Sequence, residues 1–341
     1  MYKTIKKIKI ILIFALQIIL MSCNVNKSAL SNNETLDTLD KNSNIDYKYY
    51  DVFGIEPAKI IFPKNQTVAQ GLSVVVNDGE GNLIVFDGGR VEDADYLCSI
   101  IKDNGGVVDS WFITHIHDDH IGALYKILSD KRNDIVIKEL YYDFADFDWY
   151  YEKMGNDAGI YTLFMNVINE YNSTYKNTDN EIKIRFGGDG NENKLWAYPL
   201  KYYDDEGLKY SNKYKMQVMI LNRHYELNQD PINNTSVVYV VTIDDTRILI
   251  PGDLGYEGGE ELFKNQSYKF DIVVLSHHGQ NGIDPKYYRG FNPKVVVWPT
   301  SKDIYENVNG KYYTDDTKKV LSEISDITYQ IKTYEETAVI R

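Results

Sequence analysis

The chain has 341 residues with 50 acidic against 37 basic side chains, a formal charge of −13 and two cysteines. So negative a surface repels polyanions and no basic stripe relieves it, which counts against tight binding of long nucleic acid while leaving room for a small anion held by metal cations. Two cysteines make no disulfide framework, so stability must come from a buried core.

The first segment, MYKTIKKIK, carries four lysines and runs into the apolar stretch IILIFALQIILM, which ends at Met21. A charged segment before an apolar run too short to span a bilayer comfortably is the pattern of a secretory leader. The run closes on LMSC at 20–23, which resembles the bacterial lipobox. That resemblance implies a signal peptide at 1–22, a lipid on Cys23, and a protein anchored to the cell membrane outside the cytoplasm. An uncleaved N-terminal anchor is the other reading. Residues 23–46 are rich in Asn and Ser and read as a flexible tether. Cys98, in YLCSII, reads as a small buried hydrophobe.

From residue 47 to 341 the pattern alternates strands and helices. GLSVVVND and LIVFDGG flank the turn GEGN as a hairpin. VEDADYLCSIIKDNGG has helical spacing and a Gly-Gly stop. VVDSWFITH is a buried strand, HIGALYKILSD a short helix with Leu124, Ile127 and Leu128 on one face, and VIKELYY another strand. The segment 138–195 reads as an aromatic insertion, irregular except for one helix around 158–171. Strands return in KMQVMILNR, TSVVYVVTI, TRILIPGD and DIVVLSHHG, and a tail of KVVVWPT, DDTKKVLSEI and ITYQIKT is β-α-β-like. Strands outnumber helices and many are apolar throughout, so an α/β sandwich of two sheets with helices outside is expected.

The stretch THIHDDHIGAL, 114–124, holds three of the six histidines of the chain. It follows an apolar strand directly. Alternate residues leaving a strand share a side, so His115 and His117 can face one point while Asp119 and His120 face a neighbouring one. Imidazole and carboxylate together suit zinc, with manganese or iron as alternatives. Two more histidines, His277 and His278, sit in the same situation in VVLSHHG.

HIHDDH resembles the HxHxDH signature of the metallo-β-lactamase fold, with VFDGG before it and LIPGD and SHHG after it in that family's order. The resemblance runs from about Gln66 to Arg341 and implies an αββα sandwich of two mixed sheets with outer helices. NNTSVV, LIPGD, SHHG and the KVVVWPT tail are closest to the extracellular hydrolase domain of DNA-uptake competence proteins, with phosphorylcholine esterase a looser analogue. Carried over, it implies two zinc ions: His115 and His117 on one, Asp119, His120 and His277 on the other, and Asp253 bridging. His277, nearer the strand end, is the first choice as ligand and His278 the alternative; with His277 bound, His278 becomes an outer or substrate-facing group, and Asp87 is a supporting acid that orients a ligand. Asp118 is a second-choice proton carrier. In one respect the chain departs from the pattern, because DPINNTSVV has asparagines where many members place a further histidine. His224, in LNRHYELN, lies several residues too early.

The implied activity is hydrolysis by a metal-activated hydroxide, oriented by Asp119, of a small phosphodiester or phosphomonoester. The same hydroxide would serve a lactone, amide or thioester. A non-catalytic surface protein, with YYDFADFDWYY as an aromatic platform for choline or sugar, is the competing class. Electron transfer through iron is weaker, since no Gly-rich phosphate loop for a flavin partner follows.

Overall fold

The computed structural model describes residues 45–186, 195–204 and 207–341. The leader, Cys23 and the tether up to residue 44 lie outside the described residues, and among those described no helix is long and apolar enough to cross a membrane.

Strand alternation builds the core. In β1 (Tyr47–Tyr50), β2 (Lys59–Phe62), β3 (Ser73–Asn77), β4 (Leu83–Asp87), β5 (Val107–Val108) and β6 (Ser110–Phe112), successive side chains face opposite ways. Ile60, Phe62, Val74, Val76, Ile84, Phe86 and Phe112 point inward between two sheets. Their neighbours Ile61, Val75, Val85 and Trp111 point outward under helices. β3 and β4, covered on both faces, are therefore apolar almost throughout.

Short β7 (Val136–Ile137) pairs with β5, and β8 (Glu139–Tyr142) and β9 (Lys183–Phe186) complete the first sheet. The second sheet holds β10 (Leu195–Asp204), β11 (Gly207–Ile220), β12 (Tyr239–Ile243), β13 (Thr246–Ile250), β14 (Ile272–Val274), β15 (Val295–Trp298) and β16 (Tyr329–Lys332). β17 (Thr337–Ile340) returns to the first sheet, whose order is β1-β17-β2-β3-β4-β6-β8-β9. Both sheets are mixed. β4, β6, β8 and β9 run parallel, as do β13, β14, β15 and β16, while β10 to β13 and β17 to β4 are antiparallel neighbours.

Helices Ala94–Asp103, Asp118–Ser129 and Gly159–Thr174 cover the outer face of the first sheet. Tyr256–Phe263, Lys286–Phe291 and Thr314–Ser322 cover that of the second. The result is the four-layer αββα sandwich expected from the sequence. Cys98 is fully buried under the first sheet, and burial pushes its thiol up to about 12, so it is packing material.

Two local expectations are corrected. The 138–195 segment has a second helix, Phe147–Met154, which the aromatic run disguised. The Asp146 carboxylate accepts from the Trp149 N–H and caps it. Its aromatics largely pack among themselves: Tyr150 is fully buried and Tyr142 stacks on Phe144 at 4.7 Å between ring centres. The other correction concerns the histidine stretch, where His117 is the last extended residue and Asp118, Asp119 and His120 form the first helical turn. Two carboxylates there meet the positive end of the helix dipole, which a simple turn would not supply.

Candidate metal centre

The parallel strands set the site. Asp87 ends β4, residues 113–117 continue from β6, Asp253 lies three residues past β13, and the turn Ser276–Gly279 follows β14. All reach the same edge of the sandwich, at the carboxyl ends of the strands. The Val237 N–H donates to the Thr114 carbonyl at 3.0 Å and ties the two sheets there, while the Asp253 N–H donates to Ser236 Oγ at 3.0 Å within the second. Gly252 allows the close approach. Its φ is +57°, and a Cβ would stand 2.7 Å from the Thr114 side chain.

Two groups of donors result. His115, His117 and Asp253 form one, and Asp119, His120 and His278 the other, with one ligand atom of each residue within 4.8 Å of those of its group. In the first, His115 Nε2 and His117 Nδ1 face each other at 3.0 Å. In the second, His278 Nε2 is 3.2 Å from Asp119 Oδ2. Asp253 touches both groups: Oδ1 is 3.1 Å from His120 Nε2, while Oδ2 is 3.3 Å from His278 Nε2 and 3.9 Å from His115 Nε2.

The tautomers are fixed from behind. His120 Nδ1 contacts Asp87 Oδ2 at 2.8 Å, and Asp87, fully buried, also accepts from the Thr114 N–H and hydroxyl. His278 Nδ1 donates to the Pro299 carbonyl at 2.5 Å. Each of these two rings therefore presents Nε2 to the centre, where it can act as a ligand.

Three atoms aimed at the centre, His120 Nε2, His278 Nε2 and Asp253 Oδ1, are buried without a hydrogen-bond partner. Donors this close yet not aligned with one another are the arrangement of ligands around a shared cation, and the residues fit divalent ions. The protonation pattern agrees. Burial holds the His115 imidazole well below its ordinary value, and it lowers His117 too. Burial also opposes charge on His120 and His278, but facing carboxylates outweigh it. Asp253 and Asp87 lift His120 well above the ordinary range, and Asp253 with Asp119 brings His278 up to about 9. Against their own burial, Asp119 and Asp253 are held low by the same imidazoles. The buried carboxylates thus demand positive charge at the centre, and without cations they obtain it from protons.

Other expected residues fall elsewhere. His277, expected beside Asp119 and His120, exchanges roles with His278. His278 is fully buried in that group, while His277 is 20% exposed and joins neither group. Both histidines have left-handed backbone, and it is His278 whose ring reaches the Asp119–His120 group. Asp118 is turned out, 66% exposed and paired with Arg90 at 2.8 Å. His224 pairs with Asp143 at 3.0 Å. Asn234 holds the loop after Asp253, accepting from the Gly255 and Gly258 N–H groups.

Arg90 went unforeseen. Its guanidinium reaches Asp118 and, at 3.5 Å, Asp119, and the GGR following β4 was the only signal for it.

Fold and donor groups together are those of the metallo-hydrolase fold class. Residues 67–197 match the family model of the metallo-beta-lactamase superfamily, and the chain has that fold. No curated protein matches it by sequence. Among solved structures, it is similar to the metallo-beta-lactamase fold protein YhfI from Bacillus subtilis, at 9% identity over 81% of this chain and 96% of that one, TM-score 0.43. Yeast PDE1 aligns at 12% over 83% and 97%, TM-score 0.43. Igni18, a metallo hydrolase from Ignicoccus hospitalis, aligns at 13% over 83% and 99%, TM-score 0.39. Likeness at this level carries no argument about substrate.

Proposed function

We propose that the chain is a dinuclear phosphoesterase acting on a small substrate outside the cytoplasm, with zinc as the resident metal. The observation that carries it is the pair of three-donor groups spanned by Asp253. His115, His117 and Asp253 would hold one ion, and Asp119, His120, His278 and the same Asp253 the other. Two cations there supply the Lewis acidity that brings deprotonation of water from about 15.7 towards about pH 7.

The chain's own residues do the rest. Asp119, held ionised by His278 and His120, offers a carboxylate oxygen to orient the attacking water. Arg90 restrains Asp119 from the outer side. Beside the centre lies an open cavity of about 230 Å³, whose lining includes Gln229, Asp230, Tyr256, Glu257, His277 and Asn281. Among the described residues its lining offers hydrogen bonds and two acids but no lysine or arginine. A leaving group seated there is polar and neutral or positively charged, and a polyanion is disfavoured.

Preference for phosphorus over carbonyl rests on the likeness of NNTSVV, LIPGD and SHHG to the competence-type hydrolase domain. Bis-p-nitrophenyl phosphate should turn over with added zinc or manganese, while a lactone and a cephalosporin should not. Turnover of the lactone alone would replace the phosphoesterase reading with carbonyl chemistry. For the location, Cys23→Ala should abolish incorporation of labelled fatty acid, and unchanged labelling would refute the lipid anchor.

A further inference from the structure

In the first donor group His115, His117 and Asp253 leave room for one more protein ligand, and the adjoining loop presents Asn233 and Asn234 rather than an imidazole. We infer that His277 fills that position, so the two successive histidines of Ser276–Gly279 divide between the ions, His278 to one and His277 to the other. This rests on the dinuclear reading above.

Three observations support the division. First, His277 Nε2 is 3.9 Å from Asp253 Oδ2, the same distance from the same oxygen as His115 Nε2. Two ligands of one tetrahedral zinc, at bonds of about 2.0–2.2 Å, stand roughly 3.4 Å apart, so towards Asp253 the His277 ring has no further to move than His115 does.

Second, both histidines occupy left-handed backbone, φ 47° and ψ 49° then φ 58° and ψ 19°. That conformation is uncommon for a residue with a Cβ, and two in succession are rarer still. Its effect is to bring adjacent imidazoles to one carboxylate oxygen with their rings 6.1 Å apart and inclined at 62°, rather than one inward and one away. The His277 N–H to the Gly252 carbonyl, 3.1 Å, locks this turn beside Asp253.

Third, His277 already has the surroundings of a ligand. Its Nδ1 is buried without a hydrogen-bond partner and lies 3.9 Å from Asp230 Oδ2, a carboxylate placed to take that proton's hydrogen bond as Asp87 does for His120. Asn233 Nδ2, which donates to Asp230 at 2.9 Å, also lies 3.4 Å from His277 Nε2 and steadies the ring.

The test is metal stoichiometry on the full chain loaded with cobalt(II) or zinc. His277→Asn is the variant of choice, because Asn tolerates left-handed backbone and keeps the turn. Wild type should hold two equivalents. His277→Asn should hold one firmly and the other at least roughly 100-fold more weakly, with the matching share of the cobalt visible bands lost. Independently of any variant, the His277 Nε2 resonance of the ¹⁵N-labelled wild-type chain should move to metal-coordinated values when zinc is added. Two firmly held ions and an unchanged cobalt spectrum in His277→Asn, or an unmoved His277 resonance in the zinc-loaded wild type, overturns the inference while leaving the dinuclear reading intact. A wild-type chain that binds no metal overturns both.

Discussion

Asp87 spends all its hydrogen-bonding capacity inward: two bonds to Thr114 and one contact with His120, from a carboxyl that burial pushes above its ordinary value. Such a group orients a ligand without touching the ion. Asp87→Asn keeps the left-handed backbone acceptable but removes the charge behind His120. Metal affinity should fall by about 10–100-fold, measured by chelator competition. An unchanged affinity would show that His120 needs no such support. His278 makes a second prediction. Its folded-state value of about 9 lies above the ordinary 6.5, so the metal-free chain keeps this proton, and the stability it brings, until pH rises through 9. An ion must expel that proton. Apparent affinity should therefore rise between pH 6.5 and 9, by about tenfold per pH unit for each proton displaced. Affinity that is flat from pH 6.5 to 8.5 would contradict the assignment of His278.

At the scale of elements, the helix Asp118–Ser129 shows how packing serves the site. Its first turn is tied to the loop after β4 by the Gly88 N–H to the His120 carbonyl, and to the residue before β3 by the Leu72 N–H to the Asp119 carbonyl. Gly122 lets it sit there, since a Cβ would meet the backbone of Arg90 and Val91 at 2.6–2.7 Å. Gly122→Ala should cost about 1–3 kcal/mol in urea unfolding and weaken metal binding together. The cap of helix Phe147–Met154 supplies the contrast. Asp146→Ala should cost about 1 kcal/mol with metal content unchanged.

These elements also show what the sequence could disclose. β3, β4, β12 and β13 were readable because burial on both faces leaves apolar runs cut by turn residues, and HIHDDH because three imidazoles in six positions have few bland explanations. The helix at 147–154 was not, because its aromatic composition hides a 3.6 period. The order of His277 and His278 was not either. It depends on two successive left-handed residues, and residue type predicts that conformation only for Gly, which stands one place later at 279. Asn234 was read as a missing histidine, although its task is to accept two backbone N–H groups across the loop.

On the scale of the whole molecule, the two sheets meet in one apolar layer and deliver the carboxyl ends of β4, β6, β13 and β14 to a common edge. The centre therefore joins the sheets, with Asp87, His115, His117 and His120 from the first and Asp253 and His278 from the second. Ions bound there should staple the halves together. With metal at 100 times its dissociation constant the gain is about 2.7 kcal/mol per site, so chelation should lower the melting temperature measurably. An identical melting curve with and without chelator would mean that no ion links the sheets.

The central claim is that Asp253 spans two ions that together support hydrolysis. The most direct measurement is metal content and phosphodiester turnover of the full chain, wild type beside Asp253→Asn. Two equivalents with turnover in the wild type, and at most one equivalent without turnover in Asp253→Asn, is the predicted result. Turnover that survives Asp253→Asn, or a wild-type chain that turns over substrate after complete chelation, would contradict it.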